Sequence, residues 1–210
     1  MAVGESHKGY DLLAPVYDTL VKFVFKNQLY HAQNYYLNRL TIDQHILIVG
    51  GGRGKILETM DQQNIPLKIT YLDASKQMVR YASRYPSKNL DIYFMTGKAE
   101  NFKPTEKYDI LITPFFLDQF EGSDLEKIIF TLSGFIRKQG IWIVTDFNKT
   151  EKFRHRFLVK CMYHFFKFFT GIKAGKLSDY AYLIEKYEFT LVDSKQFSDG
   201  FIKSFLCVKT

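Results

Sequence analysis

Four glycines and one aspartate are the residues whose types and spacing point most directly to chemistry. The glycines follow the apolar run 46–49, and they are Gly50, Gly51, Gly52 and Gly54. A backbone without Cβ atoms lets a ligand approach closely, and such a strand-to-helix turn opens into the ligand crevice of a parallel sheet. Asp73 ends the next apolar run, where its carboxylate could accept hydrogen bonds from two ribose hydroxyls. The pattern predicts a nucleotide-like ligand; the alternative is a tight turn with an aspartate that caps a helix.

The glycine spacing separates two classes of nucleotide site. A dinucleotide loop of the G-x-G-x-x-G type would place its third glycine at Lys55, whereas this chain has G-x-G-x-G over residues 50–54. The chain here resembles class I S-adenosylmethionine-dependent methyltransferases, and in particular their ubiquinone and menaquinone methylase branch. Four further segments carry the resemblance in the order of that family: residues 10–18 (YDLLAPVYD), 96–102 (TGKAENF), 108–112 (YDILI) and 135–140 (FIRKQG). With the glycine loop, these segments extend the resemblance over residues 8–147. None of them indicates which molecule accepts the methyl group.

The resemblance implies S-adenosyl-L-methionine as the cofactor. The two cysteines do not predict a metal site. In similar proteins the N-terminal segment folds over the cofactor as a lid, which implicates Tyr10 and Tyr17. The alternative for these two rings is ordinary packing on an amphipathic helix. The implied cofactor-binding residues are Tyr10, Tyr17, Gly50, Gly51, Gly52, Gly54, Asp73, Ala74, Met78, Lys98, Ala99, Glu100 and Thr113.

Two positions depart from the family pattern. The acidic residue usual two places before the first glycine is Ile48, and the usual acid of the adenine segment is Lys98. Each lost polar partner would weaken cofactor binding by about 1–3 kcal/mol if nothing replaced it. The backbone N–H of Ala99 and the carboxylate of Glu100 could still serve the adenine. These departures leave open a noncatalytic cofactor-binding or scaffold protein.

The acceptor should meet the cofactor at the end of the fourth strand, where residues 113–118 read TPFFLD. Methylases of nucleobase and glutamine amino groups carry Asp/Asn-Pro-Pro-Tyr/Phe there, and this chain has only part of that motif. Asp118 is a candidate base or substrate anchor; an N-cap or a surface carboxylate is its alternative. His155 is a second candidate base, by residue type alone.

The segment 153–169 combines an apolar face with a basic one. Phenylalanines recur at four-residue spacing, as a helix requires, and residues 149–176 carry eight Lys or Arg against the single acid Glu151. That excess equals the net charge of the whole chain, +7. The predicted helix could form one wall of an acceptor pocket, contact an anionic membrane surface, or pair with a second subunit in a homodimer. An ordinary amphipathic helix with a solvated basic face is the alternative.

Apolar runs that alternate with helical patterns predict an α/β fold. We expect a doubly wound, seven-stranded, mostly parallel sheet whose last strand is antiparallel, with N-terminal helices and a helical insertion after strand five. The predicted strands are 45–50, 67–72, 90–95, 108–113, 141–147, 189–192 and 201–208, and the predicted helices are 10–25, 28–40, 55–61, 75–85, 124–137, 153–169 and 180–187. The chain of 210 residues fits one domain, divided into a lid (1–40), a cofactor-binding core (41–147), an insertion (148–188) and final strands (189–210).

Composition narrows the function classes. Only two cysteines occur, and the N-terminus lacks the pattern of a signal peptide, so we expect a cytoplasmic protein. The leading hypothesis is an S-adenosylmethionine-dependent methyltransferase acting on a small apolar or aromatic acceptor. An aminopropyltransferase fits poorly, because a basic helix would repel a polyamine. Nucleic acid is disfavoured as a partner, since one basic helix is the only feature that suggests it.

Overall fold

Seven apolar segments form one sheet in the computed structural model, which describes residues 27–149 and 177–210. The strands are β1 His45–Val49, β2 Leu67–Asp73, β3 Leu90–Thr96, β4 Tyr108–Pro114, β5 Ile136–Phe147, β6 Phe189–Phe197 and β7 Ile202–Lys209. Their order across the sheet is β3-β2-β1-β4-β5-β7-β6. Strands β1 to β5 are parallel, and β7 runs antiparallel to both of its neighbours. The predicted sheet, with its antiparallel last strand, is confirmed.

Short helices cover both faces of this sheet. They are α1 Gln28–Asn34, α2 Lys55–Asp61, α3 Lys76–Ala82, α4 Gly122–Ser133 and α5 Tyr180–Glu185, with 3-10 turns at Leu37–Arg39, Ala99–Asn101, Leu117–Gln119 and Ser198–Gly200. Across the described ranges, none of these helices is long and apolar enough to cross a bilayer.

The side chains of the central strands alternate between two cores because a strand turns successive residues to opposite faces. On one face, Leu47, Leu111 and Trp142 belong to the core that contains α4 and α5 residues. On the other face, Ile48 and Tyr71 pack with residues of α2 and of the first 3-10 turn. A sheet covered on both sides needs strands that are apolar throughout, which is why these strands were readable in the sequence.

Two parts of the predicted lid and insertion belong to the packed body of the protein. Helix α1 lies against β6, β7 and α2, and the carbonyl of Ala32 accepts hydrogen bonds from the buried hydroxyls of Thr145 and Ser204. Helix α5 buries Tyr180 and Ile184 in the same core as α4. The remainder of those segments, residues 1–26 and 150–176 with the predicted helix 153–169, lies outside the described residues.

Several predicted boundaries are wrong, and pairing between strands explains the largest error. Strand β5 begins at Ile136 rather than at residue 141, because Ile136 pairs with Tyr108 before the chain bulges and resumes pairing at Ile141. Helix α4 consequently ends at Ser133, not at residue 137. The ammonium group of Lys209 donates to the carbonyls of Ser133 and Ile136 at this helix end. Helix α3 stops at Ala82, three residues early, and β6 extends five residues beyond its predicted end because it pairs with β7 throughout.

Asp61 organises the amino-terminal edge of the sheet, opposite the glycine loop. Its carboxylate accepts hydrogen bonds from the hydroxyl of Tyr85 and from the backbone N–H groups of Lys88 and Asn89. Burial acts to raise the pKa of Asp61, but these hydrogen bonds outweigh it and the pKa is lowered. This network fixes the loop before β3 and is structural.

Candidate active site

The glycine loop lies where the sheet changes direction. It joins β1 to α2, and the chain order reverses between β1 and β4, which is the position where ligands bind in doubly wound sheets. The N–H of Gly50 donates to the carbonyl of Leu72 at 2.9 Å, so the loop begins as a continuation of the β1–β2 pairing. Gly52 and Asp73 thereby come within hydrogen-bond distance across the ends of the two strands.

The four glycines of the loop serve different purposes. An added Cβ at Gly50 would lie 2.7 Å from the Phe116 ring, and one at Gly54 would lie 2.8 Å from the Ala82 methyl group. At Gly51 it would overlap the hydroxyl and ring of Tyr71. Gly52 differs from these, because within residues 27–149 and 177–210, its two chain neighbours aside, no atom lies within 4 Å of the place its Cβ would take. Among the described residues, therefore, Gly52 is the loop glycine whose Cβ position is not occupied.

Asp73 ties the glycine loop to the next helix. Its Oδ2 accepts the N–H of Gly52 at 3.0 Å and its Oδ1 accepts the N–H of Ser75 at 2.9 Å. The side chain is half-buried at the carboxyl end of β2. An ionised carboxylate offers about four acceptor sites, so backbone support and contacts to a sugar are compatible. The structure thus places Asp73 beside the loop, as the sequence indicated.

The segments after β2 and β3 flank Asp73. Ala74 is exposed and Met78 is half-buried in α3, where the N–H of Met78 donates to the capping hydroxyl of Ser75 at 3.3 Å. The N–H of Gly97 donates to the backbone carbonyl of Asp73 at 2.9 Å and holds the next loop against this edge. In that loop, Lys98 and Glu100 are exposed and Ala99 is buried.

Thr113 has a structural role at the end of β4. Its side chain is fully buried, and its hydroxyl accepts the indole N–H of Trp142 at 3.0 Å. This bond satisfies the tryptophan inside the core formed with α4. The Thr113 side chain therefore faces the core, so the contact with the cofactor that we expected of this residue stays a prediction for its backbone.

Asp118 and Asp146 form a pair of carboxyl groups at the carboxyl ends of β4 and β5. Oδ2 of Asp146 accepts the N–H groups of Leu117 at 2.8 Å and of Asp118 at 3.2 Å, and its Oδ1 accepts the N–H of Phe147. Oδ1 of Asp118 is buried and has no hydrogen-bond partner among the described residues. Asp118 lies in a 3-10 turn, and Glu121 occupies the N-cap position of α4. Asp118 is therefore not the N-cap of α4, and its Oδ1 does not lie at the surface.

This pair retains a proton at neutral pH. Burial raises the pKa of Asp118 to about 7. Burial, and then the charge of Asp118, raise the pKa of Asp146 as well. The three backbone N–H bonds to the oxygens of Asp146 favour its ionised form and oppose this rise. The arrangement can take up or release a proton near pH 7.

Aromatic side chains surround the same edge of the sheet. The rings of Phe115 and Phe147 lie 5.2 Å apart, and Phe147 lies 5.2 Å from Phe201. Phe116, whose ring contacts the glycine loop, lies 5.2 Å from Phe120. The end of β4 thus connects the glycine loop to an apolar, aromatic region beside the carboxyl pair.

Two residues of this edge were not found by sequence reasoning. Tyr71 shares the face of β2 with Asp73, two residues away, and its hydroxyl donates to the carbonyl of Gly52 at 3.0 Å. Asp146 is the second-to-last residue of β5, much as Asp73 is the last residue of β2, and an acid at the end of an apolar run is a signal that the sequence carries at both positions. Tyr10, Tyr17 and His155 lie outside the described residues.

Comparison with known proteins shows which families and folds this chain is similar to. Residues 46–140 match the family model described as a methyltransferase domain. A curated relative, the ubiquinone biosynthesis O-methyltransferase of Rickettsia felis, is 27% identical over 108 residues, which are 51% of this chain and 43% of the relative. The chain therefore matches less than half the length of that protein.

Solved structures share the fold at low sequence identity. A putative methyltransferase of Haloferax volcanii, solved in complex with the Trm112 methyltransferase activator, has a TM-score of 0.72 at 12% identity, with 99% of each chain covered. The 1,6-didemethyltoxoflavin-N1-methyltransferase of Burkholderia thailandensis has a TM-score of 0.67 at 13% identity, covering 100% of this chain and 92% of that one. Residues 46–140 therefore match a methyltransferase domain, and the described part of the chain shares the fold of these solved methyltransferases.

Proposed function

We propose that this protein transfers a methyl group from S-adenosyl-L-methionine to a small apolar or aromatic acceptor. The observation that carries the proposal is the combination of Gly52 and Asp73. A carboxylate fixed at the end of β2 lies beside Gly52, the loop glycine whose Cβ position meets no atom of the described residues outside its chain neighbours. A nucleoside can approach the backbone there and place its ribose hydroxyls on the carboxylate.

The residues around Asp73 fit the rest of this cofactor. Gly97, bonded to the backbone of Asp73, brings the segment from Lys98 to Glu100 to the same edge, where its backbone and the Glu100 carboxylate would hold the adenine. Ile48, which replaces an acid usual in similar proteins, is fully buried in the core beside Tyr71. The Ile48 side chain therefore packs beneath the loop and would not contact the cofactor. The polar contacts to the cofactor would come from other residues.

When bound, the cofactor would supply a methyl group on a positively charged sulfonium. A lone pair of the acceptor would attack the methyl carbon in line with the sulfur, which is the leaving group. The acceptor–carbon bond forms as the sulfur–carbon bond breaks, and S-adenosylhomocysteine remains. The protein has mainly to align the partners and exclude water. Where the acceptor must lose a proton, Asp118 is the proposed base, because the pKa of Asp118 near 7 suits proton uptake at neutral pH.

The aromatic edge supports an apolar acceptor. The rings of Phe115 and Phe147 meet at the ends of β4 and β5. Phe115 precedes Asp118 by three residues, and Phe147 directly follows Asp146. Flat rings provide broad apolar contact with little side-chain entropy to lose. The Burkholderia thailandensis structure contains S-adenosylhomocysteine together with 1,6-didemethyltoxoflavin, and a small ring compound of this general kind would suit the edge of this protein as well.

A turnover assay tests this proposal. Purified protein with S-adenosylmethionine is expected to form S-adenosylhomocysteine with at least one member of a panel of phenols, quinols, carboxylic acids and amines. Replacing Asp73 by alanine should raise the KM for the cofactor by about 10- to 100-fold, since charge-assisted bonds to the ribose are lost.

The matched control is Asp91→Ala, because Asp91 is an exposed aspartate of β3 and its loss should leave the KM for the cofactor unchanged. Tight cofactor binding without turnover on any acceptor class would instead identify a noncatalytic cofactor-binding protein.

A further inference from the structure

Tyr71 lies directly beneath the glycine loop. Its side chain is fully buried, and it pairs in register with Ile48 of β1, two residues before the first glycine. The hydroxyl points out of the core to the loop, where it donates to the carbonyl oxygen of Gly52 at 3.0 Å. The otherwise buried Tyr71 thus presents its hydroxyl group to the underside of the loop.

The backbone of Gly52 is held from both sides. Its N–H donates to Asp73 Oδ2 at 3.0 Å, while its carbonyl accepts from Tyr71. Tyr71 and Asp73 are two residues apart on β2, so the pleat of one strand turns both side chains to the same face. A single strand therefore fixes the orientation of this loop residue.

The ring of Tyr71 also fills the space below the loop. Any Cβ at Gly51 would overlap the hydroxyl and ring carbons of Tyr71, so Gly51 is glycine because of this contact. Burial, and then the nearby charge of Asp73, raise the pKa of Tyr71 well above its ordinary value. The hydroxyl consequently stays protonated and remains a donor at every pH at which the protein would work.

We infer that Tyr71 is a positioning residue, which holds the glycine loop in its cofactor-binding conformation through the carbonyl of Gly52. The inference rests on the proposed function, since it assigns Tyr71 a role in cofactor affinity. A loop already ordered before binding loses less conformational entropy when the ligand arrives. Fixing Gly52 also keeps the Asp73 carboxylate oriented toward the ribose, because the two residues are bonded directly.

Tyr71→Phe tests the inference, because it removes the hydroxyl and retains the ring. We expect the dissociation constant for S-adenosylhomocysteine, measured by calorimetry, to rise about tenfold, the equivalent of one buried hydrogen bond. The KM for S-adenosylmethionine should rise by a similar factor with kcat within about twofold, because the reacting atoms are untouched.

Tyr85→Phe is the matched control. It also removes a hydroxyl bonded to a partner in the fold, Asp61, but at the opposite edge of the sheet. Its cofactor affinity should equal that of the wild type, whatever happens to its melting temperature. Wild-type affinity in Tyr71→Phe, or an equal loss in both variants, would overturn the inference.

Two further outcomes keep the conclusions separate. A wild-type protein that binds neither S-adenosylmethionine nor S-adenosylhomocysteine would overturn the proposed function itself. If Tyr71→Phe fails to fold, amide hydrogen exchange in the ligand-free wild type shows instead whether the glycine loop is ordered before the cofactor binds. Slow exchange at Gly52 is expected of a preformed loop, and exchange as fast as in an unstructured peptide would refute it.

Discussion

Replacing Gly51 by alanine is expected to lower the free energy of unfolding by about 2–3 kcal/mol. The new methyl group would overlap the hydroxyl and ring of Tyr71. That ring is fully buried between β1 and the neighbouring core, so the loop has to move instead. Overpacking of a filled site typically costs about 1–3 kcal/mol, and here the ring has no room to yield. Chemical denaturation measures the loss.

Gly97→Ala is the control for this substitution. Gly97 lies at the same edge of the sheet, but its added methyl would make an ordinary contact with Leu72 at 3.7 Å. Its stability should be unchanged or slightly increased, because alanine reduces the freedom of the unfolded chain. If Gly51→Ala were as stable as Gly97→Ala, the loop would not lie against Tyr71 in the way described.

Asp118→Asn is expected to stabilise the protein at alkaline pH. The pKa of Asp118 is about 7 in the folded protein and near 3.8 in its ordinary state, so the folded protein binds the extra proton between about pH 4 and pH 7. Stability therefore falls as pH rises through this window and stays reduced above it. The amide cannot ionise, so the variant should exceed the wild type by about 2–4 kcal/mol at pH 8 and match it near pH 4.

Asp124→Asn provides the control, since Asp124 is an exposed residue in the first turn of α4. Its pH dependence of unfolding should follow that of the wild type. Retaining a carboxyl group that reduces stability at neutral pH is typical of functional sites, so Asp118→Asn should also lower kcat for acceptors that must lose a proton. The assignment of Asp118 to a buried carboxyl pair would be contradicted if the wild type became more stable between pH 4 and pH 7. The same conclusion would follow if the stability of Asp118→Asn had the pH dependence of the wild type.

The sheet and the cofactor edge could be predicted because their signals are local. Strands covered on both faces must be apolar throughout, so β1, β2 and β4 stood out in the sequence. The spacing from Gly50 to Gly54 and the acid at Asp73 indicated a nucleotide site without any knowledge of the fold. The structure brings Gly52 and Asp73 into direct contact, as this pattern required.

What could not be predicted depends on contacts between distant segments. Tyr71 in an apolar strand is indistinguishable from a core aromatic until its hydroxyl is seen to reach a loop carbonyl. The pairing of Asp118 with Asp146 depends on how the turn after β4 meets the end of β5, 28 residues further on. The early start of β5 likewise depends on the pairing of Ile136 with Tyr108, because the residues between it and Ile141 look like a turn.

Calorimetric titration of the wild type and Asp73→Ala with S-adenosylhomocysteine and with NAD tests the central claim most directly. We expect one molecule of S-adenosylhomocysteine per chain, no detectable binding of NAD, and an affinity weakened by about 1.5–3 kcal/mol in Asp73→Ala. Asp91→Ala should bind as the wild type does. Preference for NAD, or unchanged affinity in Asp73→Ala, would contradict the placement of the nucleoside between the glycine loop and the end of β2.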